Sequence, residues 1–180
     1  NVYESADLIM GKEVTGNQGN KHKHFKFTLK ITGAPANAKF AIDYTGADKA
    51  AQPKAADGQE ADSLVVGADG TVTRDFMLKD GERIAVKGLT PGAKYELTED
   101  ADGYKSTEGI TIDVTNTEDQ LLDATSGIVG VKPIRTGFTN DKEGVIPTGL
   151  LIDGAPYIAI ALAGGAFVVL AKRKKANQAE

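Results

Sequence analysis

The feature of this sequence that most limits its fold is a repeated two-residue alternation of apolar and polar side chains. Apolar side chains occupy every second position from Phe25 to Ile31, with lysine or threonine between them. Because successive side chains of a β-strand point to opposite faces, this pattern predicts a strand with one face in the core. Shorter stretches repeat it at Phe40, Ile42 and Tyr44, at Phe76 and Leu78, at Ile84 and Val86, at Tyr95, Leu97 and Glu99, and at Ile110, Ile112 and Val114.

Clusters of glycine, proline and aspartate separate these predicted strands, at residues 33–35, 67–70, 80–81 and 90–92. Such clusters are typical of turns. Sustained helical periodicity and internal repeats are both absent from the sequence before residue 142. Several short strands with regular turns predict one all-β sandwich, and roughly 140 residues are enough for one core. Residues 46–62 and 115–127 are predicted to be long surface loops.

Three polar residues stand where the alternation predicts a buried side chain. Lys12, Glu99 and Asn140 each share the parity of apolar residues two or four positions away. A buried lysine or glutamate without a partner is costly. We therefore expect the three to meet inside the domain. The neighbours that set this parity are Leu8, Met10 and Val14 for Lys12, Tyr95 and Leu97 for Glu99, and Phe138 for Asn140.

The last part of the chain contains an apolar segment of membrane length. Residues 154–171 carry no charged side chain, and residues 150–152 extend this segment across Asp153. Roughly 17–25 apolar residues span a bilayer as a helix. The basic residues 172–175 that follow belong on the cytoplasmic side by the positive-inside rule. We predict a single transmembrane helix over residues 150–171, followed by a basic cytoplasmic tail.

The motif before this segment reads Val145, Ile146, Pro147, Thr148 and Gly149. Together with the apolar segment and basic tail, it resembles the cell-wall sorting signal of Gram-positive surface proteins, the substrates of sortase transpeptidases. In that family a sortase cysteine cuts between Thr and Gly, here Thr148 and Gly149, and joins the Thr carboxyl to an amine of peptidoglycan or a neighbouring pilin subunit. The commonest motif is Leu-Pro-x-Thr-Gly. Here proline stands third, which leaves the class of sortase open.

The preceding domain carries a second resemblance. Residues 11–17 before Phe25, the Tyr95–Glu99 stretch with Gly103-Tyr104 after it, and residues 137–140 are similar to the opening strand, E-box and closing strand of collagen-adhesin B-type (CnaB-like) domains. The similarity extends over about residues 8–141. It implies an Ig-like sandwich of the CnaB type.

Many CnaB-like domains form an intramolecular isopeptide bond. The resemblance implies that Lys12 is the nucleophile, Asn140 the electrophile and Glu99 the proton shuttle. The amine must be neutral to attack and the acid protonated to polarise the amide, and burial favours both neutral forms. Ammonia leaves, so the reaction occurs once and is not enzyme turnover. The product would tie the first strand to the last.

Other residues compete for these roles. Lys21, Lys23 and Lys26 are alternative nucleophiles, but Lys26 has the wrong parity for the core and the other two lie in a charged lead-in. If Glu99 is not the acid, Asp100 and Asp113 are the nearest replacements.

Composition narrows the function further. The chain contains no cysteine, which excludes a disulfide framework and thiol catalysis. Residues 1–149 carry 17 lysine and arginine residues against 23 aspartate and glutamate residues, without a basic patch, so we expect no nucleic-acid partner. His22 and His24 are spaced like metal ligands, but a third ligand is not evident, and we predict a solvated turn, no metal and no cofactor. We recognise no signal peptide at residues 1–10 and expect a mature chain or fragment.

These observations predict a cell-wall-anchored, extracellular surface or pilin protein with a transient membrane precursor. We divide it into a CnaB-like domain (1–141), a linker with the sortase motif (142–149), the transmembrane helix (150–171) and the tail (172–180). A singly anchored adhesin or ligand-binding stalk is the alternative, since the Tyr-Pro-Lys motif of polymerising pilins is not visible, unless that motif lies in an N-terminal part outside this sequence. A membrane-tethered enzyme is a further alternative, for which the sequence offers no site.

Overall fold

The structure, a computed structural model, describes residues 4–110 and 120–145. This part of the chain is built of β-strands, with one short 3-10 turn at Lys49–Ala51 and no helix long and apolar enough to cross a membrane. The strands are β1 (Ala6–Thr15), β2 (Phe25–Thr32), β3 (Lys39–Asp43), β4 (Ser63–Val65), β5 (Val72–Leu78), β6 (Arg83–Leu89), β7 (Lys94–Asp100), β8 (Lys105–Glu108), β9 (Ser126–Ile128) and β10 (Ile134–Asp141).

Within the described residues these strands form two sheets. The first has the order β4-β3-β6-β1-β10-β8, and the second has the order β5-β2-β7-β9. One core cluster takes side chains from both sheets, and the Phe27 and Phe138 rings meet across it with their centroids 5.6 Å apart. The prediction of an all-β sandwich is thus confirmed.

The first and last strands are neighbours inside the first sheet, between β6 and β8. β1 and β10 run parallel, with Lys12 opposite Phe138 and Val14 opposite Asn140. Since alternate residues share a face, this register places the side chains of Lys12 and Asn140 on the same, inward face. The pairing was not predictable from periodicity, because it joins segments at opposite ends of the domain.

The alternating segments at 25–31, 76–78, 84–86 and 95–99 lie in strands, and β3 covers Phe40 and Ile42 and ends just before Tyr44. Residues 46–62 form a loop apart from the 3-10 turn. Ile110 forms an isolated bridge with Leu121, while residues 111–119 lie outside the described part.

The prediction of one surface loop over residues 115–127 was wrong at its C-terminal end. Leu121 is fully buried, and β9 begins at Ser126. The strand has no alternating burial and exists because it pairs with β7, which no local pattern reveals. The Leu121 side chain packs on the outer face of the first sheet at Gly11, where an added Cβ would lie 2.5 Å from Leu121 Cδ1, and it is not part of the core cluster between the sheets.

Residues 1–143 form one compact unit that contains both sheets and the entire core cluster. Residues 144–180 are assigned to a second unit, nearly all of which lies outside the described residues. The predicted transmembrane helix and basic tail both fall there.

Close approach of β1 and β10 depends on glycine. Gly11 and Gly137 face each other in the register, and a Cβ on Gly137 would lie 2.4 Å from the Gly11 carbonyl oxygen. That contact is with backbone, so it cannot be relieved by a side-chain rotation. The two strands would have to separate.

We predict that Gly137→Ala lowers the free energy of unfolding by about 1–3 kcal/mol, the usual cost of overpacking. Gly130→Ala is the matched control, because nothing lies within 4 Å of its added Cβ, and it should change stability by less than about 0.5 kcal/mol. Urea denaturation measures both. Equal stability of the two variants would show that the strands separate without cost.

Candidate functional site

The structure brings Lys12, Glu99 and Asn140 together inside the sandwich. Lys12 lies on β1 and Asn140 on the adjacent β10, while Glu99 reaches across from β7 in the second sheet. The side chains of Lys12 and Glu99 are 0% and 1% exposed, and Asn140 is 0% exposed. Their inward parity, which the sequence predicted, is what places all three between the sheets.

A single carboxylate oxygen connects the other two side chains. Glu99 Oε1 lies 2.7 Å from Lys12 Nζ and accepts a hydrogen bond of 3.1 Å from Asn140 Nδ2. Lys12 Nζ also donates to the Phe138 carbonyl oxygen at 3.3 Å. The amine and the side-chain amide are therefore held against the same acid, on adjacent strands.

One aromatic ring lies over the amine of the buried lysine. Lys12 Nζ lies 4.6 Å from the centroid of the Phe25 ring, and the edge-to-face contact between Phe25 and Tyr104 has a centroid distance of 5.1 Å. The Lys12 backbone is fixed as well, because its N–H donates to Glu82 O and its carbonyl accepts from Gly81 N. The amine has little freedom to swing toward solvent.

This enclosure changes the protonation of the amine. Burial lowers the pKa of Lys12 from 10.5 to about 8, although the hydrogen bond and charge of Glu99 act in the opposite direction. A neutral amine is therefore much easier to reach here than on the protein surface. Only the neutral amine has the lone pair that a nucleophile needs.

The amide of Asn140 has one unused polar atom. Its Oδ1 is buried and accepts no hydrogen bond from the described residues, whereas Nδ2 donates to Glu99. An ionised carboxylate can only accept, so it selects the NH₂ end of the amide. Once Glu99 holds a proton, half a turn of the amide would bring Oδ1 to the same position, where the acid can donate to it. The site can thus polarise the amide carbonyl.

Ser106 is a part of the site that sequence reasoning missed. It lies opposite Asn140 on β8, and its hydroxyl donates to Glu99 Oε2 at 3.0 Å. This hydrogen bond fixes the second carboxylate oxygen and leaves the first to Lys12 and Asn140. All four residues of β8 are exposed and show no alternation, so no signal in the sequence marks the strand.

The alternative nucleophiles lie outside the core. Lys21 is 65% exposed and pairs with Asp80, Lys26 is 52% exposed and pairs with Asp75, and Lys23 pairs with Asp102. Of the two alternative acids, Asp100 is exposed, and Asp113 lies outside the described residues.

The histidines do not form a recognisable metal site. Among the described residues, no group of three or more side chains has the arrangement of a metal site. His24 Nε2 lies 3.8 Å from Glu82 Oε2, while the His22 backbone N–H donates to Asn20. Of the predicted sortase motif only Val145 is described, and it is 93% exposed. Ile146, Pro147, Thr148 and Gly149 lie outside the described residues.

The chain belongs to the family described as "Domain of unknown function (DUF7601)", which matches residues 6–142. That range contains every strand of the sandwich and all three residues of the buried site. The family's description assigns no function. The names of two relatives indicate one.

Those relatives are proteins of streptococcal pili. The chain is 31% identical to a protein named "Pilin" from Streptococcus pyogenes serotype M1, over 96% of this chain and 50% of that protein. It is 30% identical to the "Pilus tip adhesin Cpa" of Streptococcus pyogenes, over 81% of this chain and 18% of the adhesin. The chain therefore spans half, or less, of the length of these relatives.

A solved structure shares the fold. The crystal structure of the major pilin from Streptococcus pyogenes aligns with 78% of this chain and 49% of the pilin chain, with a TM-score of 0.53 and 25% identity. The sandwich described above is thus an architecture found in a pilin.

The lowered pKa of Lys12 predicts a pH dependence in protein that cannot crosslink. Between pH 8 and 10.5 the unfolded lysine holds a proton that the folded one has lost. The free energy of unfolding of an Asn140→Ala variant should therefore rise with pH through this window. Urea denaturation at both ends of the window measures the change.

The matched control is the double variant Lys12→Met/Asn140→Ala, which lacks the titrating amine and keeps every other lysine. Its stability should rise less over the same window. Identical pH dependence in the two proteins would mean that the Lys12 amine titrates as it does in water.

Proposed function

We propose that this chain is a structural subunit of the bacterial cell surface, of the pilin type, whose CnaB-like domain closes itself with an isopeptide bond between Lys12 and Asn140. The observation that carries the proposal is the buried contact of both side chains with Glu99 Oε1. The similarity to a pilin and a pilus tip adhesin supports the placement at the cell surface.

The reaction requires only groups that the site contains. Lys12 passes a proton to Glu99, which leaves a neutral amine and a neutral acid. The lysine nitrogen attacks Cγ of Asn140 while Glu99 donates to the amide oxygen. The resulting Glu99 carboxylate takes a proton from the attached lysine nitrogen and delivers it to Nδ2. The Cγ–Nδ2 bond then breaks, ammonia leaves, and the carbonyl re-forms as its oxygen returns its proton to Glu99. One C–N bond forms and one breaks, and the acid is regenerated, so the step needs no oxidant, metal or cofactor.

The product has a mechanical consequence that follows from strand direction. β1 and β10 are parallel, so tension applied at the N-terminal side of β1 and the C-terminal side of β10 shears the two strands. A covalent bond from Lys12 to Asn140 would carry that load from one strand to the other. Residues 13–139, which include most of the core, would then lie outside the path of force.

Anchoring completes the proposal. We propose that residues 142–149 are a linker with a sortase motif, residues 150–171 a transmembrane helix that holds the precursor, and residues 172–180 its cytoplasmic tail. A sortase would cut between Thr148 and Gly149 and join Thr148 to peptidoglycan or to a neighbouring subunit. The mature protein would be extracellular and covalently attached to the cell wall, with no enzymatic activity of its own.

The alternative is a singly anchored adhesin or stalk. The tip adhesin among the relatives favours it. Wall extracts distinguish the two forms. Polymerised subunits give a ladder of high-molecular-weight species, whereas a singly anchored protein gives one discrete band.

The proposed crosslink predicts a change in the mass of the protein. Wild-type protein should be lighter than its sequence mass by one ammonia, and a peptide map should contain a branched peptide joining Lys12 and Asn140. Glu99→Ala should fold but keep the full mass, because the proton shuttle is lost. Glu96→Ala is the control, since Glu96 is exposed on the same strand and its loss should leave the crosslink intact.

Intact-mass spectrometry of the three proteins decides between the readings. A full unreacted mass for wild type would show that Lys12 and Glu99 form only a buried ion pair and that Asn140 is only hydrogen-bonded to it. A crosslink that persists in Glu99→Ala would assign the proton transfer to another acid.

The anchor predicts a change in cell fractionation. In a sortase-bearing Gram-positive host, with a secretion signal supplied, wild-type protein should be released from the wall by peptidoglycan hydrolases. Thr148→Ala should remain in the membrane fraction, because the scissile position is lost. Thr98→Ala, an exposed change within the sandwich, should behave as wild type. Wall-linked material in the Thr148→Ala strain would contradict the sorting proposal.

A further inference from the structure

Arg74 is a charged residue at a core position of β5. It shares the inward face of that strand with Val72, Phe76 and Leu78, and it is only 6% exposed. Its guanidinium donates to the carbonyl oxygens of Glu60 and Ala61 at 2.9 and 3.3 Å. Carbonyl oxygens satisfy hydrogen bonds but do not neutralise the charge. A buried cation without a counterion is unfavourable, so its presence calls for an explanation.

The arginine lines a cleft between β5 and the loop of residues 46–62. One cavity of about 270 Å³ is bounded by Arg74, Tyr44, Lys49, Lys54 and Pro53, among others. A second cavity of about 170 Å³ shares Pro53, Lys54 and Arg74 with the first. Arg74 and Lys54 therefore face both compartments of one cleft.

The loop that covers the cleft is held at two points by glutamine side chains. Gln52 donates to the carbonyl oxygen of Met77 at 2.8 Å and accepts from its N–H at 3.0 Å. Gln59 makes the same pair of hydrogen bonds with Val65, at 2.7 and 3.0 Å. These paired bonds fix both sides of the 53–58 segment. A long loop that is fixed in this way is often a binding loop rather than a linker.

Positive charge predominates in the cleft. Lys49 is paired with Asp62 and lies 5.7 Å from the centroid of the Tyr44 ring. Asp75, which lines the smaller compartment, is engaged by Lys26 and Thr28. Among the described residues, neither Lys54 nor Arg74 forms an ion pair with a carboxylate. Two cationic groups thus face the cleft without a counterion.

We propose that this cleft binds one anionic group, a carboxylate or a sulfate, carried on a small ring such as a sugar. Two of the five N–H donors of Arg74 are engaged by Glu60 and Ala61, which leaves three for the oxygens of such an anion, and exposed Lys54 supplies a second charge. Pro53 and Ala55 offer an apolar wall for the ring. The proposal is independent of the crosslink and adds a binding role to the structural one.

The size of the cleft limits the ligand. Pockets for drug-sized molecules occupy about 300–1,000 Å³, and the larger cavity here falls just below that range. A single charged ring fits it, while an extended chain would pass into the second compartment. We therefore expect recognition of one anionic sugar unit, with further units adding little.

NMR titration of the isotope-labelled full chain in non-ionic detergent tests the proposal. The probe is glucuronate, added at constant ionic strength, with glucose as the uncharged ring and sulfate as the ring-free anion. Glucuronate should produce saturable shifts of the Arg74 guanidinium and Gln52 side-chain signals, sulfate weaker ones and glucose none. Equal shifts with glucose, or no saturable shift with glucuronate, would overturn the proposal.

A substitution at an exposed residue tests whether glucuronate binds in the cleft, and it does not disturb folding. Lys54 is exposed, so Lys54→Met should fold normally and weaken glucuronate binding about tenfold through loss of one charge-assisted contact. Lys94→Met removes the same charge from an exposed position on β7 and should bind as wild type. Undiminished binding by Lys54→Met would also overturn the proposal. Intact mass of the same samples reports the crosslink separately.

Discussion

The buried contact of Lys12 and Asn140 with Glu99 is the interaction on which the rest of this structure depends. It joins the first strand, the last strand and the opposite sheet at a single carboxylate. A sandwich core normally excludes such groups, because each ion removed from water costs several kcal/mol unless it is paired. Here Glu99 Oε1 pairs with the Lys12 amine and accepts from Asn140 Nδ2, although Asn140 Oδ1 keeps no partner among the described residues, and the Phe25 ring lies over the amine. The same desolvation that makes the site costly also lowers the pKa of the Lys12 amine.

Formation of the bond between Lys12 and Asn140 would raise the stability of the folded domain. Formation of an amide removes the lysine charge from the core and leaves an acid with hydrogen-bonding partners around it. The new bond would also close a loop of most of the domain. By analogy with disulfides, closing so long a loop is worth about 4–5 kcal/mol in the chain-entropy model. The unreacted fold would serve as the template that assembles the reactive groups, and the reacted fold would bear load.

The features of the fold and site that depend on local sequence pattern could be predicted from the sequence. The alternation of Phe25 to Ile31 predicted a strand, and the parity of Lys12, Glu99 and Asn140 predicted three inward polar side chains. The sequence could not predict features that depend on pairing between distant segments. The parallel register of β1 and β10, the exposed strands β8 and β9, and the hydrogen bond from Ser106 to Glu99 all arise only once the sheets assemble. Arg74 escaped notice because its charge interrupts an otherwise apolar strand face.

Single-molecule force spectroscopy tests the central claim most directly, because it measures whether tension passes through Lys12 and Asn140. The domain would be held by residues flanking β1 and β10 and pulled apart. The account predicts that wild-type protein shows no unfolding step of the sandwich, since the covalent bond carries the load. The uncrosslinked Glu99→Ala variant should lengthen by roughly 40 nm, given about 3.3–3.6 Å per extended residue. A wild-type domain that unfolds with the same extension would contradict the account.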